Sequence, residues 1–189
     1  MKNYNKYLLI ILFVFLTGIN IYNIYRFDNN KINQISHNRE REIKYLNLAE
    51  KFNDMEFPVV KIYNTVNDSL IMTKIRDGFI ILISNSGCSP CQIRELKNLE
   101  DFSKGYNKVK DTYAIYVGDY NRLDALRLKK LSAVSFPICY ILNNFLSEQF
   151  LTKPFPKIFF IVNQKIKSTL IPIPDEEKFS EDFYKKIRN

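Results

Sequence analysis

The sequence predicts a single α/β domain with a mixed central sheet flanked by helices, set behind an N-terminal apolar helix. Three observations predict it. From Glu56 onward, short continuous apolar runs alternate with amphipathic segments, an order of strand, helix, strand, helix, then a hairpin and a closing helix. Two lysines lead an apolar stretch close to the length of a membrane-crossing helix. The chain of 189 residues fits one domain plus an accessory segment, and its 46% hydrophobic and 14% aromatic content exclude a disordered chain.

At the N-terminus, Lys2 and Lys6 precede an apolar run from Tyr7 to Ile21, which Tyr22, Ile24 and Tyr25 extend to Arg26. Aromatic rings near both ends suit the headgroup region, and lysines on the short leading side place the remainder outside the cytoplasm. A cleaved signal peptide would need a small-residue site, but Thr17, Gly18, Ile19 and Asn20 run on into bulky residues, and no cysteine follows for lipid attachment. The expected organisation is an uncleaved anchor over residues 1–26, in the membrane through 7–25, and a polar juxtamembrane linker over 27–55. Loose helical spacing of Ile43, Leu46, Leu48, Ala49 and Phe52 turns that linker into a short helix. The folded domain occupies 56–189.

Within that domain, Phe57 to Tyr63 reads as a first strand, with Pro58 at its start or at a sheet edge. Phe79 to Ser84 is wholly apolar until its end, as a strand covered on both faces requires. Asn85, Ser86 and Gly87 make a turn, and Cys88 opens a helix with Ile93, Leu96, Leu99 and Phe102 on one side. Thr112 to Val117 is a strand, Leu123 to Leu131 a helix with a basic outer face, and Ile138 to Leu142 a further strand. Lys157 to Val162 and Lys165 to Ile171 form a hairpin through Asn163 and Gln164. The last helix takes Asp175 as its N-cap, with Glu176 and Glu177 in its first turn and Lys185, Lys186 and Arg188 in its last.

The formal net charge is +8, but the basic residues are dispersed without a concentrated basic and aromatic stripe. Nucleic-acid binding is therefore not expected; a solvated basic surface near anionic lipid is.

Cys88 and Cys91, separated by Ser89 and Pro90, could be a redox pair, half a zinc site or a coincidence. A structural zinc needs about four ligands, and only Cys139 and His37 remain, one without a cysteine partner nearby and one in the linker. Position favours redox chemistry. Where a buried strand ends and a helix begins, free N–H groups and the helix dipole stabilise a thiolate, which suits Cys88 as nucleophile. One turn later Cys91 lies beside it and deeper, placed to resolve a mixed disulfide, while Pro90 lacks an N–H that the first turn would leave unpaired. A merely structural disulfide is the alternative. Cys139, in an apolar strand, reads as a buried core residue, with a third redox cysteine as its alternative. His37 reads as solvated, and no cofactor or metal is expected.

Around these residues the sequence resembles the thioredoxin-like superfamily, and within it the membrane-anchored TlpA/ResA-like redoxin branch. The resemblance covers about Phe57 to Arg188 and rests on Phe79 through Cys91, on Phe136 and Pro137, and on Phe155 through Asn163. It implies a cis peptide bond at Pro156, with backbone there facing the two cysteines where substrate peptides pair. Pro154 lies too far before the strand to take that role. Pro137 resembles the proline opening an extra central segment. Two departures stand out. Gly87 replaces the aromatic residue usual before the first cysteine, which predicts a more flexible loop and a barer flank for Cys88. Leu82 lies near the position of a buried carboxylate that helps the second cysteine lose its proton, leaving that task to water or to a residue such as Glu95.

The resemblance implies a thiol–disulfide oxidoreductase on the extracytoplasmic, periplasmic side of the bacterial cytoplasmic membrane and favours a reductant, while the Ser89-Pro90 pair leaves the reverse flow of an oxidant as the alternative. Its partners would be disulfide or dithiol envelope proteins and a further redox protein. Three rival readings are a peroxiredoxin-like peroxidase, whose Pro- and Thr-bearing loop is not visible, a copper-delivery protein resembling the SCO family, which would need wider cysteine spacing and a later histidine, and a non-enzymatic envelope binding module with a structural disulfide.

Overall fold

One helix, α1 (Lys2–Glu50), runs unbroken through the expected anchor and most of the expected linker. Its continuity has a simple cause: no glycine or proline lies between Gly18 and Pro58 to interrupt it. The computed structural model describes residues 2–73, 75–106, 111–118, 121–141 and 146–188. It divides into two compact units, residues 1–43 and 44–189. The stretch expected as a linker turning into a short helix is helical as far as Glu50, and the second unit takes in the residues from 44 onward.

In the first unit, Phe13, Phe15, Leu16, Ile19, Ile21, Tyr22, Ile24 and Tyr25 are exposed. Among the described residues no helix is long and apolar enough to cross a membrane. The side chains of residues 7–12, in the most apolar part of the expected span, lie outside those described.

The second unit holds a seven-stranded mixed sheet. Its elements in chain order are β1 (Val60–Asn64), β2 (Leu70–Thr73), β3 (Gly78–Ser84), α2 (Ser89–Lys104), β4 (Asp111–Val117), α3 (Asn121–Ser132) and β5 (Ile138–Tyr140). There follow α4 (Glu148–Leu151), β6 (Lys157–Val162), β7 (Lys165–Leu170) and α5 (Glu177–Arg188). The sheet order is β2-β1-β5-β4-β3-β6-β7. β3, β4 and β5 run parallel, whereas β6 and β7 on one side and β1 and β2 on the other are antiparallel additions.

β3 is buried at every position, as its apolar run requires. Its alternate side chains feed two cores. Phe79, Ile81 and Ile83 meet Leu96, Leu99 and Phe102 of α2, Leu128 of α3 and Tyr184 of α5. Ile80 and Leu82 face the opposite side, with Phe52, Phe150, Phe155 and Phe159. Ala49, near the end of α1, and Phe52 are each 6% exposed, so the chain before residue 56 belongs to this core.

Several boundaries differ from the sequence reading. β2 forms a hairpin with β1 that the short segment Leu70–Thr73 did not announce, so β1 is interior and Pro58 simply precedes it. Asp175 is not the N-cap of α5; it sits in a turn with φ of 66°, and the helix starts at Glu177. Leu142, the expected end of a strand, lies outside the described residues. The hairpin turn stands as expected, with Asn163 and Gln164 both at positive φ, the conformation that a tight two-residue connection demands.

Candidate active site

β3 ends at Ser84, and the turn that follows closes with the Gly87 N–H donating to the Ser84 carbonyl at 3.1 Å. Cys88 is the N-cap of α2, with extended backbone. Its Sγ accepts a hydrogen bond from the Cys91 N–H at 3.3 Å, which places one of the orphan donors of the first helical turn on sulfur. Pro90 stands in that turn without an N–H to leave unpaired. Cys88 and Cys91 form a disulfide with Cα atoms 5.2 Å apart. The two halves differ in access: Cys88 is exposed and Cys91 is 9% exposed.

The strand-to-helix corner is held by a residue that apolar spacing does not reveal. Gln92 is 1% exposed, and its side-chain amide clasps the backbone of Ser84. Oε1 accepts from the Ser84 N–H at 2.8 Å, and Nε2 donates to the Ser84 carbonyl at 2.8 Å. Gly87 lies against this clasp. A Cβ there would meet Gln92 Nε2 at 2.8 Å and Phe155 Cβ at 3.0 Å. The glycine is therefore a close-approach residue, while Cys88 beside it stays exposed.

The start of β6 comes to the same corner. Lys157 is opposite Leu82 in the antiparallel β3–β6 register, so Phe155 and Pro156 lie beside the end of β3. The Phe155–Pro156 peptide bond is cis, and so is Lys153–Pro154, which the sequence did not suggest. Pro137 precedes β5, and its carbonyl accepts from Ala114 at 3.0 Å.

Glu95 lies one helical turn beyond Cys91 on α2. It is fully buried, and its carboxylate takes hydrogen bonds from Ser180 at 3.0 Å, Arg94 at 3.2 Å and Asn98 at 3.4 Å. Burial raises its pKa against these opposing bonds. Its described bonds run to α5 and to its own helix. Leu82 is buried in the core as an apolar residue. Cys139 is free and fully buried in β5, and burial pushes its thiol up to about 12. His37 is exposed on α1. Among the described residues no group of three or more His, Cys, Asp or Glu gathers as metal ligands would.

A cavity of about 250 Å³ opens beside the cysteine turn, lined by Ser84, Asn85, Ser89 and Gln92 and, from α3, by Arg127 and Leu131. Tyr116, its hydroxyl donating to Asp124 at 3.0 Å, also lines it.

No protein-family model and no curated protein matches the chain. Solved structures do. A thiol:disulfide interchange protein from a Bacteroides species superposes with a TM-score of 0.56 at 13% identity, over 71% of this chain and 87% of its own. The thioredoxin domain of a thiol-disulfide oxidoreductase from Bacteroides vulgatus gives 0.57 at 12% identity, over 72% and 98%. An uncharacterised thioredoxin-like protein from Porphyromonas gingivalis gives 0.55 at 16% identity, over 72% and 94%. The fold of this chain is thioredoxin-like.

Proposed function

We propose that this chain, with its thioredoxin-like fold, is a thiol–disulfide oxidoreductase that reduces envelope proteins from the outer face of the bacterial cytoplasmic membrane. The observation that carries the reading is the asymmetry of the pair: an exposed Cys88 capping a helix, disulfide-bonded to a buried Cys91. A structural crosslink has no need of that arrangement, whereas exchange requires one sulfur that a partner can reach and one that it cannot. The names of the solved structures that share the fold, an interchange protein and an oxidoreductase among them, support the same chemistry.

In the reduced protein, Cys88 Sγ attacks one sulfur of a substrate disulfide along the S–S axis. A bond forms between Cys88 and that sulfur, and the other substrate sulfur leaves as a thiolate. The Cys91 N–H, already directed at Cys88 Sγ, stabilises negative charge on it before attack. Cys91 then attacks Cys88 Sγ, releasing the second substrate thiol and leaving the Cys88–Cys91 disulfide. Two electrons pass to the substrate, and a second dithiol protein returns them. Pro156 presents its backbone to the substrate strand beside the pair.

Anchoring through residues 7–25 belongs to the same reading. Apolar side chains are exposed around α1 from Phe13 to Tyr25, as a helix facing lipid requires. Two of the polar groups among them bond back to their own helix, Thr17 to the Phe13 carbonyl and Asn20 to the Leu16 carbonyl, each at 3.0 Å. That lowers the cost of carrying them into a bilayer.

Insulin reduction by the full chain with a dithiol donor tests the function, and Cys88→Ser is expected to abolish it. A reduction potential below about −200 mV would support a reductant, whereas one near about −120 mV would make the protein an oxidant. A pair that mild thiol buffers cannot open would sink the enzyme reading. Sedimentation of the full chain with membranes after alkaline washing, with the domain open to protease from outside, is the expected result for the anchor.

A further inference from the structure

Lys157 opens β6 directly after Pro156, yet it is only 2% exposed. Among the described residues no carboxylate pairs with its ammonium. Nζ instead donates to three backbone carbonyls, those of Gln149 at 3.3 Å, Phe150 at 2.9 Å and Thr152 at 2.5 Å. These use all three of its N–H groups. The charge also lies over two rings, 4.9 Å from the centre of Phe155 and 5.4 Å from that of Phe52. The carbonyls belong to the end of α4 and the residue after it, where a cation suits the helix terminus.

The segment so gathered is short and consequential. From Thr152 the chain passes through both cis prolines and returns to Lys157 itself. Lys157 therefore closes the loop that carries Phe155 and Pro156, and Phe155 is the residue packed against Gly87 in the cysteine turn. Burying an ammonium without a counter-charge is unfavourable, and an apolar residue would fill a core position more cheaply. Three converging carbonyls give the charge a task that an apolar residue could not perform.

We propose that Lys157 is a positioning residue for disulfide exchange, its ammonium gathering the Gln149, Phe150 and Thr152 carbonyls and so setting Pro156 beside Cys88. This inference rests on the exchange reading above. Burial, with no opposing charge, pushes the Lys157 ammonium down to about 8. The other charged groups around the cleft next to it, about 330 Å³ in volume, are Lys51 after α1, Glu148 at the head of α4 and Lys153 in the loop. A neutral amine has only two N–H groups, so one carbonyl loses its donor as the pH rises through that value.

The test measures kcat and KM for reduction of a disulfide-linked peptide by the full chain over roughly pH 6 to 10. In the wild type, kcat/KM is expected to rise with pH and then bend down near pH 8. Lys157→Met should lower kcat/KM about tenfold or more at neutral pH, chiefly through KM, and remove the bend. Lys157→Arg, charged throughout, should keep the neutral activity better than the methionine variant and also lack the bend. If Lys157→Met does not fold, the arginine profile decides. Variants that match the wild type in KM and in pH profile would overturn the role of Lys157 alone. A wild type that leaves insulin and peptide disulfides intact would overturn the exchange reading and this inference with it.

Discussion

Gly87 shows how a single position can couple the two halves of the site. From the sequence alone it reads as a gap beside Cys88 and a source of flexibility. In the structure the gap is filled from both sides, by the Gln92 amide and by Phe155. Gln92 is fixed by two hydrogen bonds to Ser84 and Phe155 is buried in the core, so neither yields easily. Gly87→Ala is expected to destabilise the folded protein by about 1–3 kcal/mol, the usual range for overpacking, as measured by urea unfolding of the oxidised form. Exchange should slow as well, because the added methyl presses on both the corner and the proline loop. The pairing of Cys88 with Cys91 and the cis bond at Pro156 were legible because their signals are local: a spacing of cysteines at a strand end, and a proline opening a strand. Gln92 and Lys157 were not legible. Each is a polar residue buried by partners that no periodicity identifies, and burial of polar groups depends on hydrogen bonds that form only in the fold.

Among the elements, α2 is fastened at both ends. Gln92 ties its first turn to β3, and Glu100, 7% exposed, ties its later part to the loop before β5. The Glu100 carboxylate receives the Ser135 N–H at 2.9 Å, the Ser135 hydroxyl at 2.7 Å and Lys104 at 2.8 Å. Burial alone would raise its pKa, but the bonds from Lys104 and from the side chain and backbone of Ser135 prevail and hold it at about 2. A carboxylate depressed in this way contributes stability that is fully present above its ordinary value of 4.5 and is lost as pH falls through about 2. Glu100→Gln should therefore cost about 1–3 kcal/mol at neutral pH and flatten the fall in stability across that acid window, read by denaturant midpoints at each pH. The long elements were legible from their runs and spacings, while β2 and α4, of four residues each, were too short to carry a period. Asp175 misled because an acidic residue after proline suits a cap and a turn equally well. Its φ of 66° belongs to the turn.

At the scale of the whole molecule, the thioredoxin-like order was legible because β3, β4 and β5 and the intervening helices follow the chain in sequence, and the closing hairpin declared its own turn. The extent of α1 was less so: a stretch rich in Asn, Arg and Glu reads as a linker until one notices that nothing in it breaks a helix. Cys139 lies in the middle of the sheet, fully buried, paired in register with Ile115 on one side and Asn64 on the other. With Cys88 and Cys91 joined, it is the one unpaired thiol in the chain. A maleimide or iodoacetamide added to the oxidised protein should thus modify it only when the sheet comes apart, at a rate that follows global opening rather than local fraying. Labelling faster than unfolding would show that β5 opens on its own. The chain thus carries its own stopwatch, a lone sulfur that records how often the fold is briefly lost while the working pair stays silent.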